Sequence, residues 1–242
     1  MGFHVRRTGS GPPVVLVHGS IQNSFTWKRQ LPLAREFTLI LPDRPGYPPN
    51  PPLASIDFDL QAQQMAELLG DGAHLAGFSY GGVVALLAAA ARSDAVWSLT
   101  VIEPPCFGVA RGDAAVDATV AAYEAVFRLD DMEAFVAGFA AAFGPAGRVP
   151  PTVAPGNEQG AQALMVERPP WEAEIPLDKL AAAGFPVLVC SSGGHPAYEA
   201  VCDVLERELH ARRAVLPGAG HGLQWARGFN DVFAGFLRGA GP

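Results

Sequence analysis

The sequence predicts an α/β fold with a doubly wound, mostly parallel sheet flanked by helices. Short apolar runs are bounded by turn residues, as in strands that are buried on both faces. Stretches with apolar residues at helical spacing alternate with these runs. The chain has 242 residues, 49% of them hydrophobic, which is enough to bury one sizeable core. We therefore expect a single domain over residues 1–242.

The individual elements can be placed from the same patterns. Four continuously apolar runs predict buried strands, namely VVLV (14–17), FTLILP (37–42), SLTVIE (98–103) and FPVLVCS (185–191). Two weaker candidates are HLAGF (74–78) and ARRAVLP (211–217). The intervening stretches 56–69, 81–91, 197–209 and 229–237 predict helices. Strand and helix thus alternate along most of the chain.

Residues 104–176 interrupt this alternation. Two Ala-rich stretches with helical stripes, DAAVDATVAAYEAVFRL and DDMEAFVAGFAAAF, precede a Pro/Gly-rich stretch, FGPAGRVPPTVAPGN, and a further short helix. No strand is evident before the rhythm resumes at residue 185. Because the segment is too short and Ala-rich to hold its own core, we expect a helical cap inserted between two strands.

Composition and charge exclude several classes of partner. The formal net charge of −7, with no Lys/Arg cluster in the sequence, argues against nucleic acid or an anionic membrane. The longest apolar run, residues 83–91, is far below the roughly 20 residues that a membrane span needs. We expect a small-molecule partner, and the sequence gives no oligomeric state.

Cysteine usage and the first residues predict a cytoplasmic protein. The three cysteines are odd in number and lack Cys-x-x-Cys spacing, which fits a reducing compartment. The start, MGFHVRRTGSGPP, has no apolar signal region and no myristoylation pattern. No His, Cys or Asp spacing indicates a metal, and no phosphate loop is present.

One serine lies in a context that predicts a nucleophile. Gly77, Ser79 and Gly81 form Gly-x-Ser-x-Gly between a predicted strand and a predicted helix. In that context the serine takes a strained conformation, and the glycines allow strand and helix to approach closely. The amide of Tyr80 would then point toward the place where an oxyanion develops. The alternative is a small pentapeptide that occurs by chance.

Several further motifs, in this order, resemble those of the α/β-hydrolase fold superfamily over nearly the full length. VVLVHGS resembles the strand followed by His-Gly, so the resemblance implies that Gly19 belongs to the oxyanion turn and that Ser20 supplies the second oxyanion amide. LPDRPGY resembles the Asp-x-x-Gly loop, although YPPNPP replaces the usual continuation. LPGAGHGLQ resembles the turn after the last strand, whose histidine falls on His221.

A serine hydroxyl needs a base at neutral pH, and imidazole has a suitable pKa. The resemblance implies that His221 is this base, since it follows a strand, sits between glycines and comes after the serine in chain order. His18 is expected to shape the oxyanion turn instead.

The third member of the triad departs from the family's usual pattern. The loop after PVLVCSS, where the acid is usual, reads GGHPAY and has His195 in the expected place. Some family members, haloalkane dehalogenases among them, carry the acid after the strand here written SLTVIE, which indicates Glu103. That residue could instead have a pocket or structural part. Glu199, near a helix start and expected to face solvent, is the next candidate, and an absent acid is the third possibility.

Aromatic residues in the predicted cap and beside the motifs are candidates for the pocket wall. A stripe at helical spacing comprises Tyr123, Phe127, Phe135, Phe139 and Phe143, and packing is the favoured interpretation over substrate contact. Trp27, next to the oxyanion loop, and Trp225, just beyond His221, fit a pocket wall or the core equally well.

These features predict a serine hydrolase that cleaves a carboxylic ester, thioester or lactone of a small, mainly apolar molecule without a cofactor. Ser79, His221 and Glu103 would be the catalytic residues. Two alternatives stay open at this point. One is a ligand-binding protein that retains the fold with little turnover, and the other is non-hydrolytic chemistry of the lyase or perhydrolase kind. The acyl group, alcohol and pathway are not predicted.

Overall fold

The computed structural model describes residues 2–144 and 150–241 and contains a seven-stranded sheet. The strands are β1 (Val5–Thr8), β2 (Pro13–Val17), β3 (Thr38–Pro42), β4 (Ala73–Phe78), β5 (Val96–Ile102), β6 (Val187–Ser191) and β7 (Arg212–Val215). Their order in the sheet is β1-β3-β2-β4-β5-β6-β7. Only the β1–β3 pair is antiparallel, and every other pair is parallel. The predicted fold class is confirmed.

The α-helices of the described residues are α1 (Phe58–Glu67), α2 (Tyr80–Ala91), α3 (Ala114–Val126), α4 (Met132–Phe143), α5 (Glu158–Met165), α6 (Leu177–Ala182), α7 (Pro196–Glu208) and α8 (Phe229–Gly239). Short 3₁₀ segments accompany them, the longest at Ser24–Arg35. The four helices predicted between strands correspond to α1, α2, α7 and α8. Each of the six predicted strands is present within a few residues of its expected bounds.

The strand β1 was not predicted, and the reason is its position. It is an edge strand that pairs only with β3, and its two central residues, Arg6 and Arg7, are exposed. The strands were predicted from apolar runs, which identify strands buried on both faces. A charged edge strand does not produce that pattern, because charge on an edge is one way in which proteins prevent further strand pairing.

The centre of the sheet fixes the edge at which the functional motifs meet. All six residues of β4 are buried, and β4 pairs with β2 on one side and β5 on the other. Phe78 lies opposite Ile102 at the carboxyl ends of β4 and β5. The residues that follow these two strands, Ser79 and Glu103, therefore leave neighbouring strands at the same edge.

Between β5 and β6 the described residues form α3, α4, α5, α6 and short 3₁₀ segments, with one isolated bridge from Glu167 to Ile56. We propose that residues 104–176 form a cap on the same domain, since Val116, Val120 and Phe143 belong to a core cluster shared with the sheet. Part of the predicted Pro/Gly-rich stretch, residues 145–149, lies outside the described residues.

Within residues 2–144 and 150–241, no helix combines the length and apolar character needed to cross a membrane. Cys106, Cys190 and Cys202 are all buried free thiols.

A buried histidine in β4 couples stability to pH. The Nδ1 atom of His74 lies 2.8 Å from the Ser98 hydroxyl, and its ring packs against Phe37 and Trp97. Burial disfavours the charged imidazolium and lowers the pKa of His74 from 6.5 to about 4. The unfolded chain therefore binds more protons between these two pH values, and the stability of the native state falls as pH decreases through that window.

We predict that His74→Gln removes part of this acid sensitivity. The loss of unfolding free energy between pH 7.5 and 5 should be smaller than in the parent by about 1 kcal/mol. Urea unfolding at both pH values measures this difference, with His210→Gln on the surface as the control. An equal loss in the parent and in His74→Gln would contradict the assignment.

Candidate active site

Ser79 occupies a strained turn between β4 and α2. Its φ of 54° and ψ of −127° lie outside the regions that non-glycine residues usually adopt. The flanking glycines are required by close packing. A Cβ on Gly77 would lie 2.2 Å from the Gly81 carbonyl oxygen, and a Cβ on Gly81 would lie 2.3 Å from the His18 carbonyl oxygen. This is the geometry that the Gly-x-Ser-x-Gly pattern predicts.

The loop after β2, residues 18–21, lies directly against Ser79. A Cβ built on Gly19 would be 2.9 Å from the Ser79 Cβ, so only glycine fits there. His18 fixes this loop from below, because its Nδ1 lies 2.7 Å from the Gly19 carbonyl oxygen and its Nε2 accepts the Arg44 N–H at 2.8 Å. Burial, together with the charge of Arg44, lowers the pKa of His18, which stays neutral in this role.

Glu103 and His221 are joined by a hydrogen bond. The Nδ1 atom of His221 lies 2.7 Å from Oε2 of Glu103, although the two residues are 118 positions apart. The Glu103 side chain is only 1% exposed. A buried carboxylate in this position holds the imidazole in the tautomer whose Nε2 is free to accept a proton.

The surroundings of Glu103 keep it ionised. Its other oxygen, Oε1, accepts hydrogen bonds from the amide of Ser192 at 2.7 Å and from the hydroxyl of Ser192 at 2.6 Å. Burial by itself raises the pKa of the Glu103 carboxyl. The hydrogen bond and charge of His221, with the two bonds from Ser192, outweigh burial and hold the pKa below its ordinary value.

Backbone strain is concentrated at this edge of the sheet. Four described residues other than glycine have positive φ, and three of them are Ile21 at 70°, Ser79 at 54° and Glu103 at 41°. Such conformations cost on the order of 1–3 kcal/mol each and persist where surrounding structure enforces them. Their clustering indicates a site shaped for function.

The imidazole of His221 opens into a cavity that it shares with Ser79. Its ring packs against Phe78, Phe143 and Tyr198, with centroids 4.6–5.0 Å apart. The buried Nε2 has no hydrogen-bond partner among the described residues. Ser79 and His221 both line a cavity of about 140 Å³, which we call the histidine-side cavity. Nε2 is therefore available to a hydroxyl group or a substrate in this cavity.

The other candidates for the acid lie elsewhere, which corrects the expectation for Glu199. Its carboxylate does not face solvent alone but contacts Arg213 at 2.6 Å and accepts hydrogen bonds from the Ser191 hydroxyl and the Gly193 amide. It makes no contact with His221. His195 is half-buried at the start of α7, with its ring against Phe143.

A second cavity, of about 30 Å³, lies on the other side of Ser79. Its wall combines the predicted nucleophile and oxyanion residues with aromatic side chains, including Ser20, Ser79, Tyr80, Phe107, Tyr123, Phe127, Phe139, Trp171 and Tyr198. We call it the aromatic cavity. The packing interpretation of the aromatic stripe is confirmed, since all five residues belong to or pack against the core clusters. Four of them also line a cavity, because Tyr123, Phe127 and Phe139 line the aromatic cavity and Phe143 lines the histidine-side cavity.

The two tryptophans that the sequence left undecided have different positions. Trp225 lines the histidine-side cavity, and its indole N–H donates to the Thr26 carbonyl oxygen at 2.7 Å. Trp27 is fully buried in the core beneath the sheet and lines neither cavity. Of the two interpretations of Trp27, the pocket wall is therefore wrong and the core is correct. The side chain is large and apolar, and it fills the space between the 3₁₀ segment and the strands.

Sequence reasoning missed a buried ion pair beside the aromatic cavity. Arg44 contacts Glu167 at 2.7 Å, and both side chains are almost fully buried. The other oxygen of Glu167 accepts the Ser20 hydroxyl at 2.5 Å, and Tyr47 donates to the carboxylate at 2.8 Å. The pair joins residues 123 positions apart, and no local pattern connects them. Ser192 was missed because only acids were sought in its loop.

Among the described residues, no cluster of three His, Cys, Asp or Glu side chains could hold a metal ion.

The fold and this arrangement define a class of protein. The model of the alpha/beta hydrolase family matches residues 14–234, and the chain belongs to this family. The chain is 36% identical over 111 residues to a pimeloyl-[acyl-carrier protein] methyl ester esterase of Aeromonas hydrophila subsp. hydrophila. It is 37% identical over 108 residues to the lipase LipV of Mycobacterium tuberculosis.

These two matches span less than half of the curated relatives, at 44% and 41% of their lengths, and 44% and 42% of this chain. A solved structure covers more. A thermophilic esterase from Thermogutta terrifontis superposes on 99% of this chain and 94% of its own, with a TM-score of 0.69 and 24% identity. That likeness concerns the fold.

We predict that Glu103→Gln lowers kcat for ester hydrolysis by roughly two to four powers of ten. The amide would donate to Nδ1 and favour the tautomer whose Nε2 carries the proton. Steady-state kinetics measures the loss, and thermal unfolding monitors folding. Glu199→Gln is the matched control, since it removes a neighbouring carboxylate that does not touch His221, and it should keep activity. A Glu103→Gln enzyme with parental kcat would contradict the role of the carboxylate.

Proposed function

We propose that this protein is a serine hydrolase that cleaves a carboxylic ester, thioester or lactone of a small molecule through an acyl-enzyme. The single observation that carries this proposal is the hydrogen bond between Glu103 and His221, whose free Nε2 shares a cavity with Ser79. The esterase and lipase names of the partial relatives support the same reaction class. The three buried free thiols support a reducing compartment such as the cytoplasm.

In the first half-reaction, the Ser79 oxygen forms a bond to the substrate carbonyl carbon while Nε2 of His221 takes the hydroxyl proton. Glu103 stabilises the imidazolium that results. The amides of Ser20 and Tyr80 hold the negative oxygen of the tetrahedral intermediate, supported by the amino terminus of α2. The bond to the leaving group then breaks, and His221 returns the proton to the departing alcohol or thiol.

In the second half-reaction, water attacks the acyl-serine. His221 takes a proton from the water, a second tetrahedral intermediate forms, and the bond to the Ser79 oxygen breaks with return of that proton. The products are the free acid and the regenerated serine. No cofactor takes part in this scheme, since every proton and electron pair is exchanged between substrate, water and these side chains.

The alternative of a binding protein with little turnover was motivated by the absence of an acid in the usual loop. Glu103 supports the imidazole instead, which removes that motive. A lyase or perhydrolase would use the same oxyanion site, and analysis of the products distinguishes it from a hydrolase, which releases one acid per turnover.

We expect a fluorophosphonate probe to label the native protein at Ser79, because an activated serine attacks phosphorus as it attacks a carbonyl. Ser79→Ala should abolish labelling and hydrolysis of 4-nitrophenyl esters together. Intact-protein mass spectrometry followed by peptide mapping measures both the adduct and its position. Labelling that persists in Ser79→Ala, or native protein that stays unlabelled, would refute the proposal.

The two cavities beside Ser79 suggest which half of the substrate each one accepts. The departing alcohol or thiol must lie next to His221, because His221 protonates it. His221 lines only the histidine-side cavity, so this cavity fits the leaving group, and the aromatic cavity fits the acyl group. A space of about 30 Å³ holds roughly two water molecules, which corresponds to an acetyl or propionyl chain.

We predict that kcat/KM for 4-nitrophenyl acetate exceeds that for the octanoate by about tenfold or more. Phe127→Ala should raise the octanoate value relative to acetate, since Phe127 lines the aromatic cavity. Leu129→Ala is the control, because Leu129 is exposed on the same cap and lines neither cavity. Preference of the parent enzyme for octanoate would overturn the assignment of the two cavities.

A further inference from the structure

A group of basic and aromatic side chains surrounds the mouth of the histidine-side cavity. Phe25, Lys28, Arg29 and Trp225 line a surface depression of about 470 Å³. Arg29 and Trp225 continue into a second depression of about 730 Å³, which also contains Arg227. We call these five residues the basic groove. Trp225 lines both depressions and the histidine-side cavity, so the groove adjoins the space proposed for the leaving group.

The groove is positively charged, although the whole chain has 24 acidic and only 17 basic residues. Seven arginines within the described ranges are paired with carboxylates, at positions 44, 92, 111, 168, 207, 213 and 238. Across residues 2–144 and 150–241, no ion pair involves Lys28, Arg29 or Arg227, and neither depression has a carboxylate in its described lining. Three exposed cations therefore produce a local positive potential on an acidic protein.

Local contacts hold the groove in place. The Lys28 ammonium lies over the Phe25 ring, 4.8 Å from its centroid, and the Phe25 side chain is 61% exposed. Arg29 donates a hydrogen bond to the Trp225 carbonyl oxygen, which ties the 3₁₀ segment Ser24–Arg35 to the loop that carries His221. Among the residues that the structure describes, Lys28 and Arg227 have no hydrogen-bond acceptor, so their donors are available to a ligand.

We propose that the basic groove binds an anionic group, such as a phosphate, at the far end of the leaving group. This inference rests on the proposed function, since it concerns the alcohol or thiol half of an ester or thioester. A short acyl group would lie in the aromatic cavity, the scissile bond at Ser79, and the charged end among Lys28, Arg29 and Arg227. The apolar character expected for the substrate then applies to the acyl half.

Two matched pairs of substrates test this proposal. S-acetyl pantetheine and S-acetyl 4′-phosphopantetheine differ by one distant phosphate, whereas 4-acetoxybenzamide and 4-acetoxybenzoate differ by one carboxylate close to the ester. At low ionic strength, we expect the anionic member of at least one pair to have a kcat/KM about fivefold higher, mainly through KM. Salt at about 0.5 M should abolish that preference, because it screens exposed charges.

Variants locate the effect. Lys28→Gln and Arg227→Gln should each reduce the ratio of anionic to neutral kcat/KM by about threefold, and the double variant should remove the preference. Lys179→Gln is the control, since it removes a cation that lines neither the groove nor the two cavities. Equal turnover of both members of each pair, or a ratio unchanged in the double variant, would overturn the proposal. Absence of turnover with all four substrates and of Ser79 labelling would refute the hydrolase function itself.

Discussion

The proposed catalytic site depends on the hydrogen bond between Glu103 and His221, which joins the segment after β5 to the segment after β7. Ser79 follows β4, Glu103 follows the neighbouring strand β5, and His221 comes after β7, the last strand. The sheet brings these segments together because β4, β5, β6 and β7 are successive parallel strands whose carboxyl ends share one edge. A left-handed conformation at Glu103 turns its carboxylate out of the strand, and Ser192 satisfies the second oxygen. The strain is thus compensated by hydrogen bonds to a buried charge.

A second buried ionic contact connects the cap with the oxyanion loop. Glu167 lies at the end of the cap, and its carboxylate accepts from Ser20 and from the fully buried Arg44. Removing one partner of such a pair leaves an uncompensated buried charge, which typically costs several kcal/mol. The proposed cap is therefore held against the loop that carries Ser20. The aromatic cavity beside this contact is small, whereas the larger histidine-side cavity adjoins the basic groove. The Aeromonas relative is named for a methyl ester, in which the alcohol has one carbon. In this protein the smaller cavity is instead proposed for the acyl group and the larger one for the leaving group.

The sequence predicted those parts of the fold and site that have a local signature. Ser79 was identifiable because a strand, two glycines and a helix surround it within a few residues. Four strands were identifiable as continuous apolar runs, and two more as weaker candidates. The charged strand β1 has no such run. Glu103 could be named only as one of several possibilities, because its contact with His221 spans 118 positions. The same reason prevents prediction of Glu167, Arg44 and Ser192 from the sequence, since their contacts are with partners that only the complete fold brings together.

The basic groove is a further feature that could not be predicted from the sequence. Lys28 and Arg29 are adjacent in the sequence, but two consecutive basic residues are common on protein surfaces. Arg227 is far from them in the sequence and shares a depression with Arg29 and Trp225 only in the folded chain, where Trp225 is held by its hydrogen bond to Thr26. The two tryptophans differ in position because this hydrogen bond holds Trp225 in the wall of the histidine-side cavity, whereas Trp27 packs in the core. The net charge of −7 and the lack of a Lys/Arg cluster in the sequence did not indicate this local positive charge.

The most direct test of the account is the proton on Nδ1 of His221, observed by NMR spectroscopy. A hydrogen bond of 2.7 Å to a buried carboxylate should shift this proton to a strongly deshielded resonance, outside the range of backbone amides. We expect this resonance in the parent protein and in Glu199→Gln, and we expect it to be absent in both Glu103→Gln and His221→Ala. A deshielded resonance that survives in Glu103→Gln would contradict the pairing on which the proposed mechanism rests.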